Sequence, residues 1–272
     1  MKLKDKKAKF WRSILPLVAV LLIFQCVYLL ISCVVTKKLF SLLYLVTPYW
    51  TLWYLLSLVL WKIILQFSPR SLLERPFLYL ALATCVSVFC GLLPPFGRIL
   101  SIQRTLNFFP FFLLGYYFGR GMIKSRLWSN YMSYLLVLVC IILIISNLPP
   151  PIDAFNSIDS AKVLLRGADH YSITDVPLKI VFFIVSVLLS ISVFNIMRNV
   201  KLLSQIGRDS LLYYLYHGLI IKYMLIYFVR HFNLPTTFMY ILFYLLVVTG
   251  VVYLIGRIKP LRWLTNPLSL KK

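Results

Sequence analysis

Residues 13–35 read SILPLVAVLLIFQCVYLLISCVV, a run of 23 positions without one charged side chain. Wound as an α-helix at 1.5 Å per residue, it spans about 35 Å, enough for the ~30 Å hydrocarbon layer of a bilayer. Its apolar residues are continuous and do not alternate with polar ones, so a strand of a membrane β-barrel is a poor alternative. The basic stretch before it, Met1 to Lys9, gives the outline of a signal peptide. The apolar run exceeds the 7–15 residues of such a peptide, and no small-residue cleavage site follows, so the expectation is a retained helix.

The same pattern recurs along the chain. Apolar segments occupy 13–35, 49–66, 77–97, 106–119, 129–148, 178–197, 209–229 and 238–256. Hydrophobic residues make up 61% of the chain, charged residues 13%, and the mean hydropathy is +0.88. A water-soluble domain carries about 25% charged residues. The fold class expected is therefore all-α: a polytopic integral membrane bundle of about eight transmembrane helices, forming one membrane domain over 1–272. The weakest span is 106–119, which is short and contains Pro110. Leu39 to Val46 is too brief to cross and is expected at the interface.

A net charge of +22 would point to nucleic acid in a soluble protein, but here the basic residues lie in short clusters between apolar runs. With both ends placed in the cytoplasm, inner segments hold about 20 of the 29 Lys and Arg and outer segments 9. That asymmetry follows the positive-inside rule and makes nucleic acid unnecessary as a partner. Membrane lipid is the expected surrounding, and the plasma membrane the expected location. The longest loop, 149–177, is extracytoplasmic in this arrangement. It opens on Pro149-Pro150-Pro151, holds four of the seven acids, and carries Arg166, Asp169 and His170. A solvated connector and an acceptor-binding lid are both readings of such a loop. The five cysteines, Cys26, Cys33, Cys85, Cys90 and Cys140, all fall within apolar runs and lack metal-ligand spacing. They read as small core residues, and no metal is expected.

Three segments hold residues suited to chemistry. Trp50, Trp53, Tyr54, Ser57 and Trp61 follow steps of three and four and share one helical stripe. The stripe is either an aromatic anchor at the interface or the wall of a cavity. Arg104 and Asn107 lie at the outer end of the next motif, where a cation and an amide suit an anionic or hydroxylated ligand; the alternative is an arginine reaching lipid headgroups. Gly115 and Gly119 in the same segment form a small-xxx-small pair that permits close helix packing. In Ile206-Gly-Arg-Asp-Ser-Leu-Leu-Tyr-Tyr-Leu-Tyr-His217, Asp209 or Ser210 is expected to cap the helix. His217 then sits about 10 Å along the helix, at a depth where a titratable side chain needs a partner or water. A neutral histidine bonded to a tyrosine, Asn195 or Gln25 is the plain alternative. Lys222 is expected to snorkel.

These segments resemble the acyltransferase 3 family, in particular its fucose 4-O-acetylase-like branch. The resemblance rests on Lys7 to Pro16, Trp50-Thr-Leu-Trp-Tyr-Leu-Leu-Ser-Leu58, Arg104-Thr-Leu-Asn-Phe-Phe-Pro-Phe-Phe-Leu-Leu-Gly115 and Ile206 to His217, in family order along nearly the whole chain. It implies transfer of an acetyl or similar group from acetyl-CoA to a hydroxyl of a cell-surface glycan. Arg104, His217, Trp50, Trp53, Tyr54 and Asn107 would line the cavity. The family generally has about ten helices, and its N-terminal pair carries the histidine that serves as base. That pair has no counterpart here, so the catalytic base is unassigned and the expectation is an N-terminally incomplete chain. Beside the acyltransferase stand two further classes: an inactive subunit that pairs with a chain supplying the missing helices, and a transporter of glycan or lipid precursors. The spans hold no interior Asp or Glu to couple an ion, which disfavours the transporter.

Overall fold

The computed structural model describes residues 3–36, 48–90, 101–124, 130–145, 176–197, 207, 209–225, 229, 231–232 and 238–265. Among them every regular element is helical: α1 Leu3–Thr36, a 3₁₀ turn Trp50–Leu52, α2 Trp53–Phe67, α3 Arg70–Leu73, α4 Pro76–Phe89, α5 Ile102–Lys124 and α6 Asn130–Ile145. There follow α7 Val176–Met197, α8 Ser210–Leu219, a π turn Ile220–Leu225, α9 Phe238–Arg257 and α10 Lys259–Leu264. Each of the eight apolar segments contains a described helix. An uninterrupted apolar segment favours a helix because that form satisfies its backbone N–H and C=O groups internally. One helix segment, Phe10–Val34, is long and apolar enough to cross a membrane, with 25 residues at a mean hydropathy of 2.8. The apolar stretches Trp53–Phe67, Pro76–Phe89, Phe183–Met197 and Phe243–Arg257 are shorter.

Three boundaries differ from the sequence reading. The basic N-terminal stretch is helical from Leu3 onward and continues into the apolar run. The segment expected to be a short span is a 23-residue helix that carries the buried Pro110 within it. Proline deletes one backbone bond and crowds the preceding turn, yet the helix runs on for fourteen residues after it, to Lys124. The last two residues of the expected loop 149–177, Val176 and Pro177, open α7. The rest of that loop, with Arg166, Asp169 and His170, lies outside the described residues, as does 39–46.

Where one domain is expected, the helices cluster into two compact units, Met1–Lys62 with Gln205–Lys272, and Ile63–Ser204. The first unit joins the two ends of the chain. Val20, Phe24 and Tyr28, spaced four apart on α1, pack with Leu52, Leu55, Leu212, Leu215 and Val252. The ring of Phe24 meets Tyr216 edge-on at 5.3 Å, and the Tyr216 hydroxyl donates to the Leu261 carbonyl at 2.9 Å, tying α10 to α8. Within the second unit, α4 packs on α5 and α6 on α7. Tyr79 contacts Phe109 at 5.8 Å, Phe111 contacts Phe183 at 4.7 Å, and Tyr117 donates to the Leu73 carbonyl at 3.0 Å.

Large apolar side chains also cover the outside: Leu22, Leu30 and Val34 on α1, Leu135 and Leu138 on α6, Phe243 and Leu246 on α9 are all exposed. Truncating core and exterior leucines separates the two environments. Leu215→Ala, at a position with 0% exposure, is expected to cost about 2–4 kcal/mol. Leu246→Ala, at 72% exposure, is expected to cost under about 0.5 kcal/mol. Unfolding of the two variants in one detergent checks the difference.

Candidate functional site

The richest polar arrangement lies in the first unit, where α1, the 3₁₀ turn, α8 and the π turn meet. Gln25, Tyr28 and Ser32 occupy one face of α1, at steps of three and four. Gln25 Oε1 accepts from the backbone N–H of Tyr49 at 3.0 Å, which holds the entry to the 3₁₀ turn against the helix. The Tyr49 hydroxyl lies 2.8 Å from Ser32 Oγ and 2.9 Å from the hydroxyl of Tyr223. Tyr28, with 0% exposure, places its hydroxyl 3.2 Å from Thr51 Oγ1. From α8, Tyr214 donates to the Thr51 carbonyl. Each hydroxyl in this group has a partner in another hydroxyl or a carbonyl, as polar atoms must when they are removed from water.

Gly218 is the residue that allows the approach. A Cβ built there would collide with the Tyr28 hydroxyl and lie 2.8 Å from Thr51 Oγ1. At the far end, the Lys222 ammonium sits 3.9 Å from the centroid of the Tyr49 ring, a cation–π contact. Lys222, expected to snorkel, rests its ammonium on the face of Tyr49. It is presented from the π turn, a rare geometry that is frequent at functional sites.

The predicted residues divide between the units. In the first, Trp50 opens the 3₁₀ turn, and Trp53, Tyr54 and Trp61 form a ladder of rings, with Trp53–Tyr54 at 6.0 Å and Tyr54–Trp61 at 5.8 Å. Tyr54 also meets Tyr214 at 5.6 Å, and Tyr214 meets His217 at 6.0 Å, so the aromatic stripe and the histidine belong to one cluster. His217 Nδ1 lies 2.8 Å from the Tyr213 carbonyl. A carbonyl only accepts, so Nδ1 is the donor of this bond, which leaves Nε2 as the ring nitrogen open to a further partner. The histidine is thus anchored within its own helix.

In the second unit, Asn107 is buried, with Oδ1 accepting from Cys90 Sγ at 3.1 Å and its carbonyl accepting from Ser87 Oγ at 3.1 Å. It joins α5 to α4, a structural use of the amide. Arg104, one turn earlier, is half-buried beside Gln103, whose Oε1 is buried without a hydrogen-bond partner among the described residues. Gly115 and Gly119 meet no neighbour within 4 Å of a built Cβ. The close packing expected of that pair is absent among the described residues.

Asp209 occupies the N-cap position of α8 without a side-chain capping bond. Its carboxylate instead accepts from Arg262 at 2.9 Å. The sequence reading passed over Tyr28, Tyr49, Thr51, Gly218 and Tyr223. A signal existed for α1, because Gln25, Tyr28 and Ser32 form a polar stripe on an otherwise apolar helix. None existed for the π turn.

Substitutions at three glycine and threonine positions test the packing. Gly218→Ala is expected to cost about 1–3 kcal/mol through overpacking, whereas Gly115→Ala is expected to be neutral or to gain up to about 1 kcal/mol of helix propensity. Thr51→Val, which keeps the shape and removes the hydroxyl, should cost about 1 kcal/mol. Equal melting temperatures for Gly218→Ala and Gly115→Ala would contradict the described contact. Comparison of the chain with protein-family models, with curated proteins and with solved structures finds no match.

Proposed function

We propose that the chain is a multi-pass membrane protein of eight helices, with both ends cytoplasmic, that serves in O-acyl transfer to a cell-surface glycan. The observation that carries this reading is the meeting of two sequence segments that bear the resemblance. Thr51 and Tyr54 of the aromatic segment join Tyr214 and His217 of the Gly-Arg-Asp-Ser…His segment, across more than 150 residues of chain. Hydroxyl-rich, aromatic-walled surroundings suit a sugar, whose faces stack on rings and whose hydroxyls need donors and acceptors.

Membrane placement is supported by the length and hydropathy of Phe10–Val34, by the exposed apolar faces of α1, α6 and α9, and by the distribution of Lys and Arg. The exposed apolar surface is of a kind that water-facing monomers rarely carry. The reaction requires the acceptor hydroxyl oxygen to form a bond to the acetyl carbon as the thioester C–S bond breaks, while the hydroxyl proton passes to the departing thiolate. In this reading acetyl-CoA is the donor. Nε2 of His217 accepts the proton or a hydrogen bond from the sugar hydroxyl, a contribution of general-base type worth about 10²–10⁴-fold. Arg104 and Asn107 belong to the second unit and have no assigned step.

Membranes holding the chain, given acetyl-CoA labelled in its acetyl group together with a cell-surface polysaccharide, test the reading. The expected result is a hydroxylamine-labile label on the glycan, reduced about a hundredfold by His217→Ala. No label on the glycan rejects the activity. Reporter fusions before Lys2 and after Lys272 check the topology independently: both are expected to be inaccessible from outside intact cells.

A further inference from the structure

A second feature of the first unit is a cavity of about 520 Å³ between α1, the start of α8 and α10. Its floor is apolar, made by Leu17 and Val20 of α1 and by Leu212 of α8. Its polar side is supplied by Lys259, Arg262 and Asp209. The volume lies within the range of ligand sites, and a mostly apolar lining with a few placed polar groups is their usual character.

Charge chooses the ligand. Arg262 is paired with Asp209, whereas Lys259 has no acidic partner among the described residues. Among the described residues the cavity therefore carries one uncompensated positive charge, that of Lys259. The Arg262–Asp209 pair is itself open to solvent, with side-chain exposures of 59% and 46%. Such a pair is weak, so Arg262 can turn toward an incoming anion at little cost. Trp263 of α10, which lines the cavity, is exposed, as is Ile258, the residue just before α10. A cationic side with an apolar floor and an exposed tryptophan fits the level of lipid headgroups, where Trp and Lys or Arg collect.

We propose that this cavity binds a phosphate-bearing amphiphile, and that an anionic phospholipid of the surrounding membrane is its source. The phosphate meets Lys259 and Arg262, and the first carbons of the acyl chains lie on Leu17, Val20 and Leu212. The assignment uses the membrane reading above and is independent of acyl transfer. Coenzyme A carries the same phosphate chemistry from the soluble side and is the rival source.

Native mass spectrometry of the full chain in a neutral detergent separates them, with phosphatidylglycerol, phosphatidylcholine and coenzyme A as the three probes. Phosphatidylglycerol is expected to be retained at least fivefold over phosphatidylcholine. Lys259→Gln should lower that ratio threefold or more without disturbing the ion pair. Asp209→Asn, which removes the competing carboxylate and keeps its shape, should raise the ratio. Arg70→Gln, in the other unit, should leave it unchanged. Equal retention of the two lipids, or a ratio unmoved by Lys259→Gln, overturns the site. Retention of coenzyme A with the same Lys259 dependence, and no preference for phosphatidylglycerol, overturns the lipid as its source. Because no acetyl group is transferred in any arm, these outcomes are distinct from a failure of the acyl-transfer assay.

Discussion

The contact between the 3₁₀ turn and α8 holds the first unit together. Thr51 presents a carbonyl to Tyr214 and a hydroxyl to Tyr28, and Gly218 leaves the room for both. Around this point α1 comes from one end of the chain and α9 from the other, each supplying apolar residues to the same core. Without a glycine at 218 the hydroxyls of Tyr28 and Thr51 could not approach α8. Their mutual bonds would then be replaced by unpaired polar atoms in apolar surroundings. An unmade bond in that setting costs more than a made one contributes, so the fit at one small residue governs a network several times larger.

The same economy accounts for the chemistry available there. Tyrosine and threonine hydroxyls each donate and accept, so they can exchange one another for a ligand hydroxyl without leaving an orphan. His217 adds its Nε2, because its other nitrogen is committed to the Tyr213 carbonyl. Lys222 adds a positive charge whose cost is eased by the face of Tyr49. The cavity by Asp209 and the hydroxyl cluster near Lys222 then lie toward opposite ends of one helical segment. Residues 209 and 222 are separated by about 20 Å at 1.5 Å per residue.

Much of the helical framework was legible in the sequence, because continuous apolar runs admit few other conformations when backbone groups must be satisfied internally. The helix at Ile102–Lys124 was underestimated, since Pro110 reads locally as a breaker while tertiary burial tolerates it. The site was legible only in part. Trp53, Tyr54 and His217 carried a periodic signal and do share a cluster. Tyr223 and Thr51 carried none, since their partners lie far along the chain. Asp209 has the composition of a cap, yet a residue 53 positions later competes for its carboxylate, and no local rule anticipates that. Gly115 and Gly119 have the spacing of a packing motif but face open space, which shows that spacing permits approach without supplying a neighbour.

The π turn at Ile220–Leu225 follows α8 without a break in the helical segment. A wider turn takes in an additional residue and so resets the angular phase of everything beyond it. Tyr223, which meets Tyr28 and Tyr49, is aimed by that reset and not by the register of the tyrosines before it. Chain length in these six positions is consequently under tighter restraint than side-chain type. Swapping one aliphatic for another there leaves the geometry alone, but losing a single residue would swing both the lysine and the tyrosine off their ring while the hydropathy profile stayed the same.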